Sequence, residues 1–337
     1  MHLWDNKTEV QLGAGTTLIE AEKAAYTFWG SRMALSNTLY TLRDLINRYT
    51  LNVLPTKETS QRESNTYSLA RITKVLDLDQ PVIQFKPHHA YQYRDGIHLN
   101  NSANCANKDI ETLSHIFTKA IEWGCEMTHP IKGIMKKLPT PANERYVYDD
   151  ELDWFLSVSN RFLNVYCPLK LATGKDQIML LKLQLSDITE HGINFGKRQK
   201  TGAGKASFLP FEYEGQSTGL LEIIKDIMAW RKDYLKPGVS SLYLFCSQVG
   251  NPMFNQKTGK TSAFKSQWKR AMDLALEKTN LSERFTEHDL RAKTASDIDN
   301  DIEASKLLGH ASVATTRKIY IRKPQTVIPF QRKNLPQ

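Results

Sequence analysis

Near the end of a 337-residue chain, the stretch FTEHDLRAKTASD sets His288 three positions before Arg291. LLGH then ends at His310, and ASVATTRKIY closes on Tyr320. These residue types suit one kind of chemistry. A phosphodiester under attack gathers negative charge on its oxygens, and an arginine meets them with a fixed fork of donors. A histidine can donate a hydrogen bond or move a proton. A tyrosine can attack phosphorus and hold the strand end covalently, which conserves the bond energy for rejoining.

Helices must present these groups together. Thr286 with Asp289 three residues on predicts a capped helix start. Positions i and i+3 put His288 and Arg291 on one face of that helix. Gly309 is expected to stop the EASKLLG helix, which leaves His310 at a helix end, and VATTRKIY is short enough for one helix with Tyr320 near its close.

Upstream, ELDWFLSVSNRFL and QIMLLKLQLSDI read as helices, and GINFGKRQKTGAGKASFLPF as a strand, turn and strand. LLEIIKDIMAWRKDYL reads as an amphipathic helix and SLYLFC as a buried strand. TSAFKSQWKRAMDLALEK reads as a helix with Lys265, Lys269 and Arg270 on its wet side. The two prolines of KKLPTPANERYVYDDEL mark a linker near 138–146. Before it the pattern is helical: LYTLRDLINRYTLNVLP stopped by Pro55, SNTYSLARITKVL, and ANKDIETLSHIFTKAIEWG with Ile110, Leu113, Ile116, Phe117, Ala120 and Ile121 on one stripe. Residues 1–36 form a short extension, with a strand in EVQLGAG and a helix in LIEAEKAAYTFWG stopped by Gly30. The division expected is an extension (1–36), a small helical domain (37–140) and a second domain (141–337).

Bulk composition agrees with a polyanionic partner. The formal net charge is +9, and the excess lies mainly in 141–337, with 29 Lys/Arg against 22 Asp/Glu, compared with 16 against 14 in 1–140. The four cysteines are scattered without a CxxC, so neither a metal site nor a disulfide framework is expected. No apolar run is long enough to span a bilayer, and the N-terminus lacks a basic region followed by an apolar one; a cytoplasmic, DNA-associated protein is expected. GxxxxGK and HExxH are absent, which leaves nucleotide and zinc-hydrolase chemistry without support.

The HxxR, LGH and Tyr series, with TGKDQIM, KRQKTG and ASKLLGHASVATTRKIY around it, resembles the tyrosine recombinases or phage-type integrases. The resemblance runs roughly from Thr41 to Pro329. It implies a mostly α protein with a small β-sheet: a helical core-binding domain, to which LINRYTLNVLPTK, HHAYQYRDG and ETLSHIFTKAIEWG correspond, and a catalytic domain, the two clamping DNA. It implies site-specific recombination for a phage or other mobile element, by a tetramer on two attachment sites through a Holliday junction. A DNA-bending or directionality factor can accompany it, and no cofactor or metal is needed. Tyr320 would be the nucleophile, forming a 3′-phosphotyrosyl link. His288, Arg291 and His310 would hold the phosphate, and Lys200 would protonate the leaving 5′ oxygen. DNA-backbone candidates are Lys86, Arg94, Lys108, Lys265, Lys269 and Arg270.

The chain departs from the family at one place. The family reads TGxR with an acidic residue three further on, and here Asp176 stands at the arginine position and Met179 at the acidic one. A carboxylate repels a phosphate where an arginine would attract it. Lys175 could supply the charge, the chain could bind DNA and cut poorly, or the alignment could shift by one residue. A cleavage-defective DNA-binding regulator and a type IB topoisomerase-like enzyme are therefore the rival readings.

Overall fold

The computed structural model describes residues 2–5, 8–11, 17, 20, 41–196 and 206–324. The chain divides into two compact units, Met1–Pro141 and Ala142–Gln337. Among the described residues the structure is mostly helical with small two-stranded antiparallel sheets.

In the first unit, β1 (His2–Asp5) pairs with β2 (Thr8–Gln11), so the strand expected in EVQLGAG is the second arm of a hairpin. The helix expected at 18–30 lies, apart from Glu20, outside the described residues. Four helices follow: α1 (Leu42–Asn52), α2 (Thr59–Val75), α3 (Pro87–Asn100) and α4 (Ala103–Glu122). Thr41 and Asp44 close a reciprocal cap on α1. The stripe of α4 is the spine of the core. Leu113, Ile116, Phe117 and Ala120 are fully buried, whereas Ile121 is exposed and lies off the stripe. One carboxylate sits within this core. Asp109 is inaccessible, and takes a two-pronged bond from Arg71 (2.8 and 2.6 Å) and a third from the Tyr93 hydroxyl (3.0 Å). A buried carboxylate is tolerable only when satisfied in this way.

The second unit begins with α5 (Asp149–Val158) and α6 (Arg161–Thr173). Sequence periodicity predicts one helix across ELDWFLSVSNRFL. The structure breaks it, because the Asn160 side chain accepts from the Leu163 amide at 3.0 Å and starts a new helix. A second correction concerns QIMLLKLQLSDI. Helix α7 covers only Gln177–Leu181, and the chain then extends and makes a bridge from Gln184 to Tyr243. The alternating apolar residues of that stretch fit one buried side in either conformation, so tertiary pairing decided it. SLYLFC is likewise buried at Leu244, Phe245 and Cys246, but it contributes only isolated bridges. β3 (Gly192–Phe195) and β4 (Ser207–Pro210) form the expected hairpin, with Ile193 opposite Leu209. A smaller one joins β5 (Glu212–Tyr213) to β6 (Gln216–Ser217). Helices α8 (Leu220–Tyr234), α9 (Ser262–Lys278), α10 (Glu287–Asp297), α11 (Asp301–Leu308) and α12 (Val313–Ile319) complete the unit. Its core is rich in aromatic side chains, with Phe162, Tyr166, Trp230, Phe245, Phe264 and Trp268 in mutual contact.

Candidate active site

Helix α10 carries the first two candidates. Thr286 caps it reciprocally with Asp289, whose Oδ2 accepts from both the Thr286 amide and hydroxyl at 2.7 Å. The helix is buried along Leu290, Arg291, Ala292, Thr294 and Ala295, which packs it into the unit. Arg291 is 1% exposed and crosses to two other elements. Its Nη1 donates to the carbonyl of Gly174, and its Nη2 to the carbonyl of Leu308 at 2.7 Å. Nη2 also lies 3.1 Å from His310 Nε2.

That contact fixes a tautomer. A guanidinium only donates, so His310 Nε2 accepts, and the neutral ring carries its proton on Nδ1. Nδ1 lies 2.8 Å from the hydroxyl of the buried Thr316 and donates to it. Thr316 belongs to α12, and its carbonyl accepts the Tyr320 amide at 2.8 Å. One threonine thus couples a phosphate-ligand candidate to the tyrosine's helix.

Tyr320 is 6% exposed, and three of the other candidates surround its ring. The His310 ring is 4.7 Å away, the His288 ring meets it edge-on at 5.5 Å, and the Arg291 guanidinium stands over it at 5.4 Å. The backbone just beyond it is tied down. Ser296 donates to the Tyr320 carbonyl at 2.9 Å and accepts from the Arg322 amide at 2.7 Å. Arg322 makes a buried ion pair with Asp289 at 2.6 Å. His288 is exposed, yet it is crowded enough that desolvation, followed by the charge of Lys170, holds its pKa below the ordinary imidazole value.

The turn at Asp176, where the sequence lacks the arginine expected from the resemblance, sits in the same cluster. Gly174 ends α6 in the left-handed conformation at φ 57°, and the turn then delivers Lys175 and Asp176. The Asp176 carboxylate lies 3.7 Å from Arg291 Nε. Lys175 is 3% exposed, and its ammonium donates to the Leu307 carbonyl at 2.9 Å. Burial, and then repulsion from Arg291, push its pKa down to about 8. Both residues therefore lie beside Arg291, with Lys175 folded inward. Met179 is half-buried on α7.

Sequence reading missed the layer beneath. Lys170 is fully buried, 2.6 Å from Glu287 Oε1, and it donates to the Lys175 carbonyl at 2.7 Å. The Tyr166 hydroxyl donates to the same Glu287 oxygen at 2.7 Å. The only sequence signal was a lysine amid the apolar residues of RFLNVYCPLKLAT.

Lys200 lies outside the described residues. Of the backbone candidates, Lys108, Lys265, Lys269 and Arg270 are exposed. Arg94 is folded onto its own unit, bonded to Asp95 and to the Lys136 carbonyl, with its guanidinium 4.8 Å over the Tyr91 ring. Lys86 donates to the Ile83 carbonyl at 3.0 Å. Among the described residues there is no grouping of acids, histidines and cysteines fit to hold a metal ion, and no helix is long and apolar enough to cross a membrane.

Residues 169–326 match the model of the phage integrase family. A lambda integrase dimer bound to a COC′ core site is similar in structure over 98% of this chain and 95% of that one, at a TM-score of 0.70 and 18% identity. A lambda integrase tetramer bound to a Holliday junction has a TM-score of 0.69 over the same shares, also at 18% identity. The Tn1549 transposon integrase in complex with circular intermediate DNA covers 83% of this chain and 95% of its own, at 0.63 and 16% identity. Comparison with curated protein sequences gives no match.

Proposed function

Taking as premise that residues 169–326 belong to the phage integrase family, we propose that the chain is a site-specific DNA recombinase that cuts and rejoins strands through a 3′-phosphotyrosyl intermediate. One observation carries the reading. Tyr320 sits among His288, Arg291 and His310 within one chain, which supports a nucleophile and phosphate ligands drawn from a single copy. In the step proposed, the Tyr320 oxygen forms a bond to phosphorus as the bond to the 5′ oxygen breaks. The tyrosine hydroxyl gives up its proton and the leaving oxygen gains one, from Lys200 in this reading. Arg291 and the histidines offset the charge that gathers on the phosphate.

Before DNA binds, these ligands engage one another. Arg291 is turned toward Asp176 and its Nη2 donates to His310. A phosphate entering the site replaces both contacts. Arg291 then faces the phosphate, and His310 Nε2, once protonated, becomes a second donor to it. Lys175 supplies the charge that the family draws from its other arginine, as a point charge instead of a fork.

The exposed Lys108, Lys265, Lys269 and Arg270 contact DNA phosphates, residues 37–140 form the core-binding domain, and 141–337 the catalytic domain. The protein works as a tetramer on two attachment sites, with a directionality factor where the element supplies one. The Asp176–Arg291 contact favours a second reading, a DNA binder that cuts poorly, because the carboxylate opposes the phosphate where charge matters most.

Covalent trapping on a nicked suicide substrate carrying the element's core site decides between them. The given protein is expected to form an adduct that Tyr320→Phe abolishes. An adduct only with Asp176→Arg establishes the second reading. Failure of both proteins while DNA still binds overturns the assignment of the cluster.

A further inference from the structure

The layer under the cluster carries an inference that rests on the reading of that cluster as the phosphate site. A fully buried ammonium is costly to desolvate, and apolar side chains of equal volume usually hold such a position at least as firmly. Stability alone therefore gives no reason for Lys170 and Glu287. Their geometry gives another. Lys170, on α6, reaches the carboxylate of Glu287 at the start of α10 at 2.6 Å. It also reaches the carbonyl of Lys175 at 2.7 Å, which is the peptide group joining Lys175 to Asp176. Tyr166, one turn earlier on α6, steadies the same Glu287 oxygen. Arg291 makes the neighbouring tie, from α10 to the Gly174 carbonyl. That second tie involves the residue that must also meet the phosphate.

We propose that the buried Lys170–Glu287 pair is a positioning device, which pins the 173–176 turn to the first turn of α10 and holds Lys175 and Asp176 in place while Arg291 exchanges its Asp176 and His310 contacts for the phosphate. Lys170 and Glu287 do not touch the phosphate. They act through the turn and through His288, which follows Glu287 directly in the chain. The charged groups around His288 are Lys170, Glu287, Arg291 and Asp176, with the Tyr320 ring against it.

The test uses the whole free protein, so it does not depend on cleavage. Lys170→Met alone strands a buried carboxylate and can fail to fold, so the informative variant is Lys170→Met with Glu287→Leu, which removes both charges. Amide hydrogen exchange of residues 174–177 and the NMR titration of His288 are compared with the parent, the His288 signal being assigned by its loss in His288→Gln. Expected in the folded double variant are turn exchange faster by at least about tenfold and a His288 pKa that rises towards the ordinary imidazole value, since the larger of the two removed influences is the cation. Tyr166→Phe, which loses a bond to Glu287 but none to the turn, leaves exchange of the turn unchanged. A folded double variant with parental exchange and parental His288 titration overturns the proposal, and equal acceleration in Tyr166→Phe does so too. Absence of any phosphotyrosyl adduct from the parent would bear on the proposed function and not on this device.

Discussion

At Asp176 a carboxylate stands 3.7 Å from Arg291, the phosphate ligand in the function proposed. Two like charges about 4 Å apart repel by about 4 kcal/mol at an effective dielectric near 20, before solvent screening reduces it. Asp176 keeps some exposure, so Asp176→Asn is expected to tighten core-site binding by roughly tenfold in a gel-shift titration, about 1.4 kcal/mol. Equal affinity for both proteins would remove the carboxylate from the phosphate's surroundings. Lys175 gives a prediction with a sign. Its folded pKa of about 8 lies below the ordinary lysine value, so the unfolded chain holds more protons between the two. The cost of burying the charged form is fully present below about pH 8 and fades as pH rises towards the ordinary value. Lys175→Met should therefore raise Tm at pH 6 and have little effect near pH 10. Over the same rise through about 8, the parent should lose whatever phosphate affinity the Lys175 charge supplies, a loss that Lys175→Met would not show.

At the scale of elements, the site depends on how turns and helix ends meet. Gly174 occupies the left-handed region, and a Cβ there would lie 3.3 Å from both Leu308 and Thr294. Gly174→Ala combines backbone strain with this crowding and should cost about 1–2 kcal/mol in chemical denaturation. It should slow adduct formation too, since the turn carries Lys175. A Gly174→Ala protein of unchanged stability would mean that the turn relaxes freely. Arg322 ties the segment after Tyr320 to Asp289 on α10. Arg322→Met leaves a buried carboxylate short of its cation, at a cost of about 3 kcal/mol. At saturating DNA it should lower the single-turnover cleavage rate far more than it lowers DNA affinity. A parallel fall in both would assign Arg322 to DNA contact instead of to positioning Tyr320.

At the scale of the whole molecule, the basic excess gives the proposed DNA binding a measurable salt dependence. Each Lys or Arg that neutralises a phosphate should contribute about one unit of slope to the salt dependence of binding. Lys265→Ala and Lys269→Ala should each flatten that slope by about one unit, with equal effect on core-site and unrelated DNA. Unchanged slopes would move the DNA contact away from α9. Limited proteolysis should cut first at 138–146, where the described chain has no helix or strand at the boundary between the units.

The sequence by itself determined most of the helices and the Thr286 cap, and singled out Tyr320 with His288, Arg291 and His310 as candidates, because each rests on local periodicity, capping chemistry or a motif with fixed spacing. It also showed that Asp176 stands where an arginine was expected. It could not show that Asn160 starts a new helix inside a continuous apolar pattern, or that Leu183 and Gln184 leave α7 to pair near Tyr243. Those outcomes turn on competing local bonds and on a partner 59 residues away. Only the tertiary structure decided that Asp176 faces Arg291, that His310 accepts from it, and that Lys170 and Glu287 meet beneath the turn. Residues 117 positions apart in the chain become ion-pair partners there, and no spacing in a sequence encodes a contact made by packing one helix against another.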